Sequence, residues 1–520
     1  MRKELIVGRG DLLFQRATRR RFLGMLAAAG TIVLLPSVFT GCSDDDGITD
    51  PTLDPDAYRL DLSTDTGILN YAYALEQLEA VFYTAALTSP GYASLTTAEQ
   101  EVLSDLQKHE VIHRELFKQA LGTAAIPSVA FNATTVASLM TDRATLLASA
   151  QLLEDTGVSA YNGAGKYLTT AANLLVAAKI VSVEARHAAA IRDIRDGTNG
   201  TLFAGDDVVS AAGLDVKAEP SAVLGSLANL NLLVSPVAIG TMPTGTATAD
   251  QPAPAAAVPT ATIKAVLDFA LALEIFENEF YKAVLGTSSS TAQNNAFATV
   301  RVKAQAVPGV VPTLQQIQKH EAAHVATLLA AGAQNAFNLS AASFDFTGNR
   351  SASGGGPYAA ATTDLPFLLA VAQGFEDAAV RAYKGQVTSL MSDSATLEAV
   401  LRIHSVEARH VARIRRIRRA TDTANATVRY SGTIRGGGAA AAGAGAQSAV
   451  VTAAFEKIYG QGTNSASAPS EANLTQAAVS VTSLSAAQFG TNAATEAFDE
   501  PLDRADVVAI VQPFFIPTIS

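Results

Sequence analysis

Apolar residues recur at three- and four-residue spacing through eight long stretches of this chain, the period of an amphipathic helix. The pattern predicts helices near 66–88, 96–121, 137–163 and 166–195, and again near 260–286, 311–332, 363–388 and 393–419. Asp142 and Asp364 stand near the starts of the third helices, the end at which negative charge is favoured. Between second and third helices lies a longer Pro/Gly/Ser-containing stretch, about 122–136 and 333–362. It is long enough for a crossover that sets the third helix parallel to the second. The two sets are one duplicated unit. Leu75-Glu-Gln-Leu-Glu-Ala-Val-Phe-Tyr83 matches Leu273-Glu-Ile-Phe-Glu-Asn-Glu-Phe-Tyr281, Lys108-His-Glu-Val-Ile-His113 matches Lys319-His-Glu-Ala-Ala-His324, and Ser182-Val-Glu-Ala-Arg-His187 recurs unchanged at Ser405–His410. A repeat of this length is a domain duplication and not a solenoid. The expected fold is all-α, two tandem four-helix bundles over 66–235 and 261–425 with a Pro/Thr/Ala-rich linker at 236–260. An irregular segment, 426–520, opens with a low-complexity run at Gly436 and regains pattern at Phe498–Leu502 and 507–513. Each bundle's tail is expected to pack back on that bundle.

The polar positions inside the apolar stripes carry the chemistry. Glu-x-x-His occurs four times, as Glu110/His113, Glu184/His187, Glu321/His324 and Glu407/His410. A lone Glu on the preceding helix accompanies each: Glu76, Glu154, Glu274 and Glu376. Positions i and i+3 share a helix face, so each pair offers a carboxylate and an imidazole in one direction. Four such inward-facing helices make a carboxylate-bridged two-metal site. A lone His on an apolar helix is usually a hydrogen-bonded core residue and a lone Glu is usually solvated, but the ordered repetition favours ligands. Four Glu and two His neutralise two divalent ions and reduce the cost of burying them. With a single cysteine no thiolate site can form, and zinc usually takes fewer ligands, so a binuclear iron or manganese centre per bundle is expected. The Glu of each Glu-x-x-His should bridge the metals, with the lone Glu capping them one each. Glu79 and Glu277, three residues on, either substitute for or support the upstream Glu. His109 and His320 point sideways, to a ligand's neighbourhood or to the surface, and His404, which has Val181 at the equivalent place, is read as a surface residue. Tyr83, Tyr161, Tyr281 and Tyr383 each lie seven residues after a lone Glu. Each phenol could bond a ligand carboxylate or relay electrons, or be a satisfied core tyrosine. The basic run Arg413–Arg419 reads as a solvated helix end that compensates the dipole.

The N-terminus changes the compartment. Thr18-Arg-Arg-Arg-Phe-Leu-Gly24 resembles a twin-arginine export signal, and the apolar run Met25–Val38 after it is short for a membrane span. Phe39-Thr-Gly-Cys42 resembles a bacterial lipobox, which would make Cys42 a lipidated first residue; the alternative is a buried thiol in an ordinary membrane anchor. Residues 1–42 then form the signal and 43–65 a tether, and Ser43 after the cysteine favours the outer membrane. The lone cysteine leaves no intramolecular disulfide in the oxidising periplasm. Twin-arginine export carries folded proteins, so metal would be inserted before export. The formal charge is −11; residues 1–41 hold a surplus of five positive charges, leaving the rest near −16. Such a body argues against nucleic-acid partners and against electrostatic docking on anionic lipid.

With these residues in place, the chain resembles the ferritin-like superfamily, which includes bacterioferritin, rubrerythrin and manganese catalase. The Leu-Glu-x-x-Glu-x-x-Phe-Tyr helix is similar to exported bacterial ferritin-like domains, some called desiccation-related. The resemblance covers roughly 66–200 and 260–420, and the family's six ligand positions carry over onto each copy. It implies redox chemistry on peroxide, O₂ or ferrous iron, with a small oxidant or metal ion as partner and an unknown electron donor. No rubredoxin-like Cys-x-x-Cys is present, so an attached donor is missing. Two bundles on one chain also depart from members that assemble into hollow cages. The competing class is non-enzymatic, an envelope stress-protection or metal-binding protein.

Overall fold

Each of the eight amphipathic stretches forms a helix in a computed structural model of the protein, which describes residues 58–235, 237–242, 261–350, 355–421, 431, 449–459, 470–485 and 489–519. The export signal, Cys42, residues 43–57 of the tether, most of the inter-bundle linker and the run at Gly436 lie outside the described residues, whereas the end of the tether, 58–65, forms a short strand and the capped start of a helix. In the first bundle the helices are α1 (Asp65–Ala86), α2 (Thr97–Leu121), α3 (Arg143–Ala164) and α4 (Ala171–Asp196). In the second they are α5 (Ala261–Leu285), α6 (Val310–Ala330), α7 (Leu365–Gln386) and α8 (Ser394–Thr421).

Their starts follow from local chemistry. Thr64 accepts from Gly67 N at 3.1 Å, Thr96 and Glu99 form a capping box, and Asp142 accepts from Thr145 N at 2.9 Å. Asp364 holds the N-cap position of α7 without a side-chain cap bond. Helix α3 begins at Arg143, later than its apolar pattern predicts, because Ala133–Ser138 forms a separate short helix and Asp142 caps a new start after it.

Side-chain pairing fixes the helix directions. Glu76 lies beside His113 and Gln107 bonds Thr84, so α1 and α2 are antiparallel. Tyr83 bonds Glu154 while Tyr161 bonds Glu76, so α1 and α3 are antiparallel as well. Helix α3 therefore runs parallel to α2, and the 122–142 connection is the predicted crossover. The same cross-pairing, Tyr281 with Glu376 and Tyr383 with Glu274, holds in the second bundle.

The bundles meet along α4 and α8, over a buried patch of Val158, Ala185, Ala188, Val380, Ala408 and Val411. Small alanines on both helices permit the close approach. The basic run at the end of α8 is part of this interface and is not solvated. Arg413 and Arg416 both reach Asp193 of α4 at 2.6 Å, and Arg415 binds Asp377. The reason is that α8 packs on α4 up to its last turns, so charges expected in water face a second bundle.

The tails also depart from expectation. Each crosses to the other bundle before returning to its own. After the first bundle, Gly213 and Asp215 touch His324 and Arg409 of the second, and Ala218 N then bonds Ser159 O of α3. After the second bundle, Ala497 and Asp499 touch His113 and Arg186 of the first, and Leu502 N then bonds Arg381 O of α7. Gly213, Asp215 and Ala218 thus correspond to Ala497, Asp499 and Leu502 at a constant offset of 284 residues. A short parallel pair of strands, β1 (Tyr58–Asp61) and β2 (Val237–Thr241), ties the entry of the first bundle to its exit.

Candidate metal centre

The twelve Glu and His residues singled out by spacing converge into two buried clusters, one per bundle, and all twelve are fully buried. In the first, Glu76, Glu110, His113 and Glu184 form one group, and Glu110, Glu154, Glu184 and His187 another. Glu110 and Glu184 belong to both. In the second, Glu274, Glu321, His324 and Glu407 form one group and Glu321, Glu376, Glu407 and His410 the other, sharing Glu321 and Glu407. Within each group the donor atoms lie within 4.8 Å of one another. The shared residues are the Glu of each Glu-x-x-His, as bridging positions require.

Every imidazole presents Nδ1 to three carboxylate oxygens. For His113 these are Glu184 at 3.1 Å and Glu76 and Glu110 at 3.3 Å. For His187 they are Glu110 at 2.8 Å, Glu154 at 3.5 Å and Glu184 at 4.0 Å. For His324 they are Glu407 at 2.9 Å, Glu274 at 3.1 Å and Glu321 at 3.4 Å. For His410 they are Glu321 at 3.0 Å, Glu376 at 3.2 Å and Glu407 at 3.5 Å.

The far nitrogens explain the orientation. His113 Nε2 lies 2.6 Å from Ala497 O, and His324 Nε2 2.7 Å from Gly213 O. A carbonyl only accepts, so Nε2 carries the proton and a neutral ring turns the lone pair of Nδ1 toward the carboxylates. His187 and His410 pass their Nε2 to His109 Nδ1 at 3.0 Å and His320 Nδ1 at 2.9 Å. His109 and His320 are thus buried supports of ligand-position histidines, the interior one of their two readings. His404, in contrast, is fully buried and not at the surface. Its counterpart Val181 already marked a core-facing position.

Electrostatics reflect the crowding. Burial alone would raise Glu110, but His187 and His113 outweigh it and hold the carboxyl below the ordinary range. Burial and the neighbouring Glu110 and Glu76 push Glu184 well up. Burial lifts Glu76 to about 7 despite His113. Burial opposes protonation of His187, yet Glu154 and Glu110 raise it to about 10. Glu79 and Glu277 are buried beside the clusters, and burial plus Glu184 or Glu407 raises each well above the carboxylate range. A methyl group on Gly157 would stand 3.0 Å from Glu79 Oε1 and 3.4 Å from Glu184 Oε2, which places Glu79 at the edge of the first cluster. The four tyrosines stand where their spacing put them, each donating to a lone Glu, Tyr83 to Glu154 at 2.6 Å.

The residue pattern left one network unread. Arg409, next to His410, binds Asp215 at 2.7 Å and reaches Asp155 at 3.4 Å; Arg186, next to His187, binds Asp499 at 2.8 Å and Asp377 at 3.2 Å. The signal was present: Arg in both copies of Ser-Val-Glu-Ala-Arg-His, and Asp directly after two of the four lone Glu, Glu154 and Glu376. An arginine buried among alanines must be paired.

The donor set fits a pair of divalent ions. Both oxygens of Glu184, Glu321 and Glu407 are buried without a hydrogen-bond donor in good geometry. Four carboxylates around neutral imidazoles also carry the charge that two such ions would balance. No curated protein and no solved structure matches the chain. A family model described as the ferritin-like domain matches residues 64–196 and 263–420, which takes in both bundles and more than half of the chain, and the protein belongs to that family.

Proposed function

We propose that each bundle holds a binuclear iron or manganese centre, with Glu110, Glu184, Glu321 and Glu407 bridging and Glu76, Glu154, Glu274 and Glu376 capping. One observation carries this reading: each imidazole Nδ1 is aimed at three carboxylate oxygens, an arrangement that only a cation or an added proton relieves. An oxygen-rich set with two nitrogens and no thiolate suits iron or manganese.

Such a pair, when bound, supplies electrons to O₂ or peroxide, or oxidises ferrous iron. The protein contributes the rest. Full burial of the twelve side chains restricts the site to small molecules and ions. The tyrosine hydroxyls orient the capping carboxylates. Glu79 and Glu277, kept protonated by burial and their neighbours, hold a proton beside each centre. Support for an exported, lipid-anchored location comes from the twin-arginine pattern and Cys42. Electrons would come from a separate donor, since a single cysteine cannot build a rubredoxin-like site.

Metal analysis of the natively exported protein, followed by its optical spectrum on adding peroxide or O₂ to the reduced form, tests the proposal. About four ions per chain and an oxidant-driven spectral change are expected. Metal-free, fully folded protein would overturn it. Bound metal that ignores both oxidants would instead favour a stress-protection or metal-binding role without catalysis.

A further inference from the structure

The two centres look alike at the ligands and differ one bond further out. His109 Nδ1 meets His187 Nε2 and His320 Nδ1 meets His410 Nε2. Once Nδ1 of the ligand-position histidine binds a cation, its Nε2 keeps the proton and donates it, so His109 and His320 must direct their own Nε2–H away from the site. In the first bundle that N–H faces the carboxylate of Glu496, on the C-terminal tail, with Oε2 at 3.4 Å, a separation long for a hydrogen bond but short for charge attraction. Glu496 is 2 % exposed, so the attraction is little screened. Asp105, one turn before His109, is a second buried carboxylate near the same histidine, itself paired with Lys108 at 3.2 Å.

The second bundle has Gln316 where the first has Asp105. Gln316 Nε2 donates to Ala204 O at 2.9 Å and lies 3.4 Å from Asp206 Oδ1, which holds its NH₂ group in place, and the same nitrogen lies 3.1 Å from His320 Nε2. Whenever His410 Nε2 carries its proton, as it must when Nδ1 binds a cation, His320 Nε2–H opposes another donor. Relief requires the amide to turn over and give up its bond to Ala204. Lys319 beside His320 is paired with Asp206, as Lys108 beside His109 is paired with Asp105, so the lysines do not distinguish the two relays. The first relay is thus polarised for metal binding and the second against it.

We propose that Glu496, acting through His109, is a positioning residue that makes the first centre the tighter metal site, and that Gln316 leaves the second weaker. The inference rests on the binuclear reading above. Outer partners of ligand histidines typically change metal affinity by about 10- to 100-fold, and a difference at the lower end of that range or beyond is expected here.

The test is a Mn²⁺ titration of the metal-free full chain, repeated with Fe²⁺, in two backgrounds, E321Q/E407Q to read the first centre and E110Q/E184Q to read the second. The first should bind at least about tenfold more tightly. E496Q should remove that advantage, E496D should restore part of it, and Q316E should tighten the second centre, with metal-free melting temperatures unchanged. If E496Q does not fold, the Q316E arm decides. Equal affinities in the two backgrounds, or no response to both substitutions, would overturn the inference and leave the binuclear reading standing. Absence of both Mn²⁺ and Fe²⁺ binding in both backgrounds would overturn the two together.

Discussion

At the scale of single residues, the ligand positions were legible because helical geometry forces i and i+3 to one face, and carboxylate and imidazole are uncommon inside an apolar stripe. Their protonation was not legible, since it depends on which neighbours the fold assembles. In the metal-free protein His187 titrates near 10, against an ordinary 6.5, and Glu76 near 7, against 4.5. Both groups bind protons more tightly folded than unfolded. Their contribution to stability is therefore complete at acid pH and is lost as pH rises through those folded values. Metal-free protein should lose stability steadily between about pH 5 and 10, whereas metal replaces the protons and should flatten the dependence. Urea unfolding of both forms across that range checks this; a metal-free curve that rises with pH would contradict it. For the same reason metal uptake should release protons and tighten as pH rises, which calorimetry in buffers of different ionisation enthalpy measures. Replacing Glu110 and Glu184 together with Gln should leave about two bound ions per chain, held by the second bundle.

Among the elements, periodicity located all eight bundle helices, and the crossover followed from connection length. The tails were misread for a specific reason. Pattern within a tail shows which residues are buried but not which bundle covers them, so the crossing at Asp215 and Asp499 left no mark in the sequence. In space Asp215 and Asp499 take equivalent places, each against the arginine that precedes a ligand-position histidine of the other bundle. His404 and the Arg413–Arg419 run were misplaced because one-helix patterns cannot show that α8 is covered by a second bundle. Breaking a buried ion pair strands its partner, at a cost of about 3–5 kcal/mol. Asp215→Ala leaves Arg409 with only Asp155 at 3.4 Å, so a loss in that range is expected from denaturant midpoints. Adding Arg409→Met should recover much of it, because an apolar chain of similar length has no charge to desolvate. A double variant as unstable as the single one would show that Arg409 contributes through packing alone.

For the molecule as a whole, duplication suggests two independent bundles, and the contacts argue otherwise. The backbone carbonyl that orients His113 belongs to the far end of the chain, and the one that orients His324 belongs to the tail of the first bundle. Each centre is therefore assembled from both halves. The interface also contains Arg186, Arg409, Arg413 and Arg416, with their carboxylates on the opposite bundle or its tail. Separating the bundles would leave these charges facing each other's vacated sites, and two or three such losses at about 3–5 kcal/mol each match the whole stability of an ordinary domain. Neither bundle should then survive the unfolding of its neighbour. Scanning calorimetry of the metal-free chain should show one cooperative transition, with calorimetric and van't Hoff enthalpies that agree for a unit spanning both bundles. Two resolved transitions, or a van't Hoff enthalpy near half the calorimetric one, would mean that the exchanged tails are ornaments on independent domains. Arg186→Met should separate the cases further. If the bundles are coupled, the substitution shifts the single transition as a whole; if they are not, only the part belonging to one bundle moves.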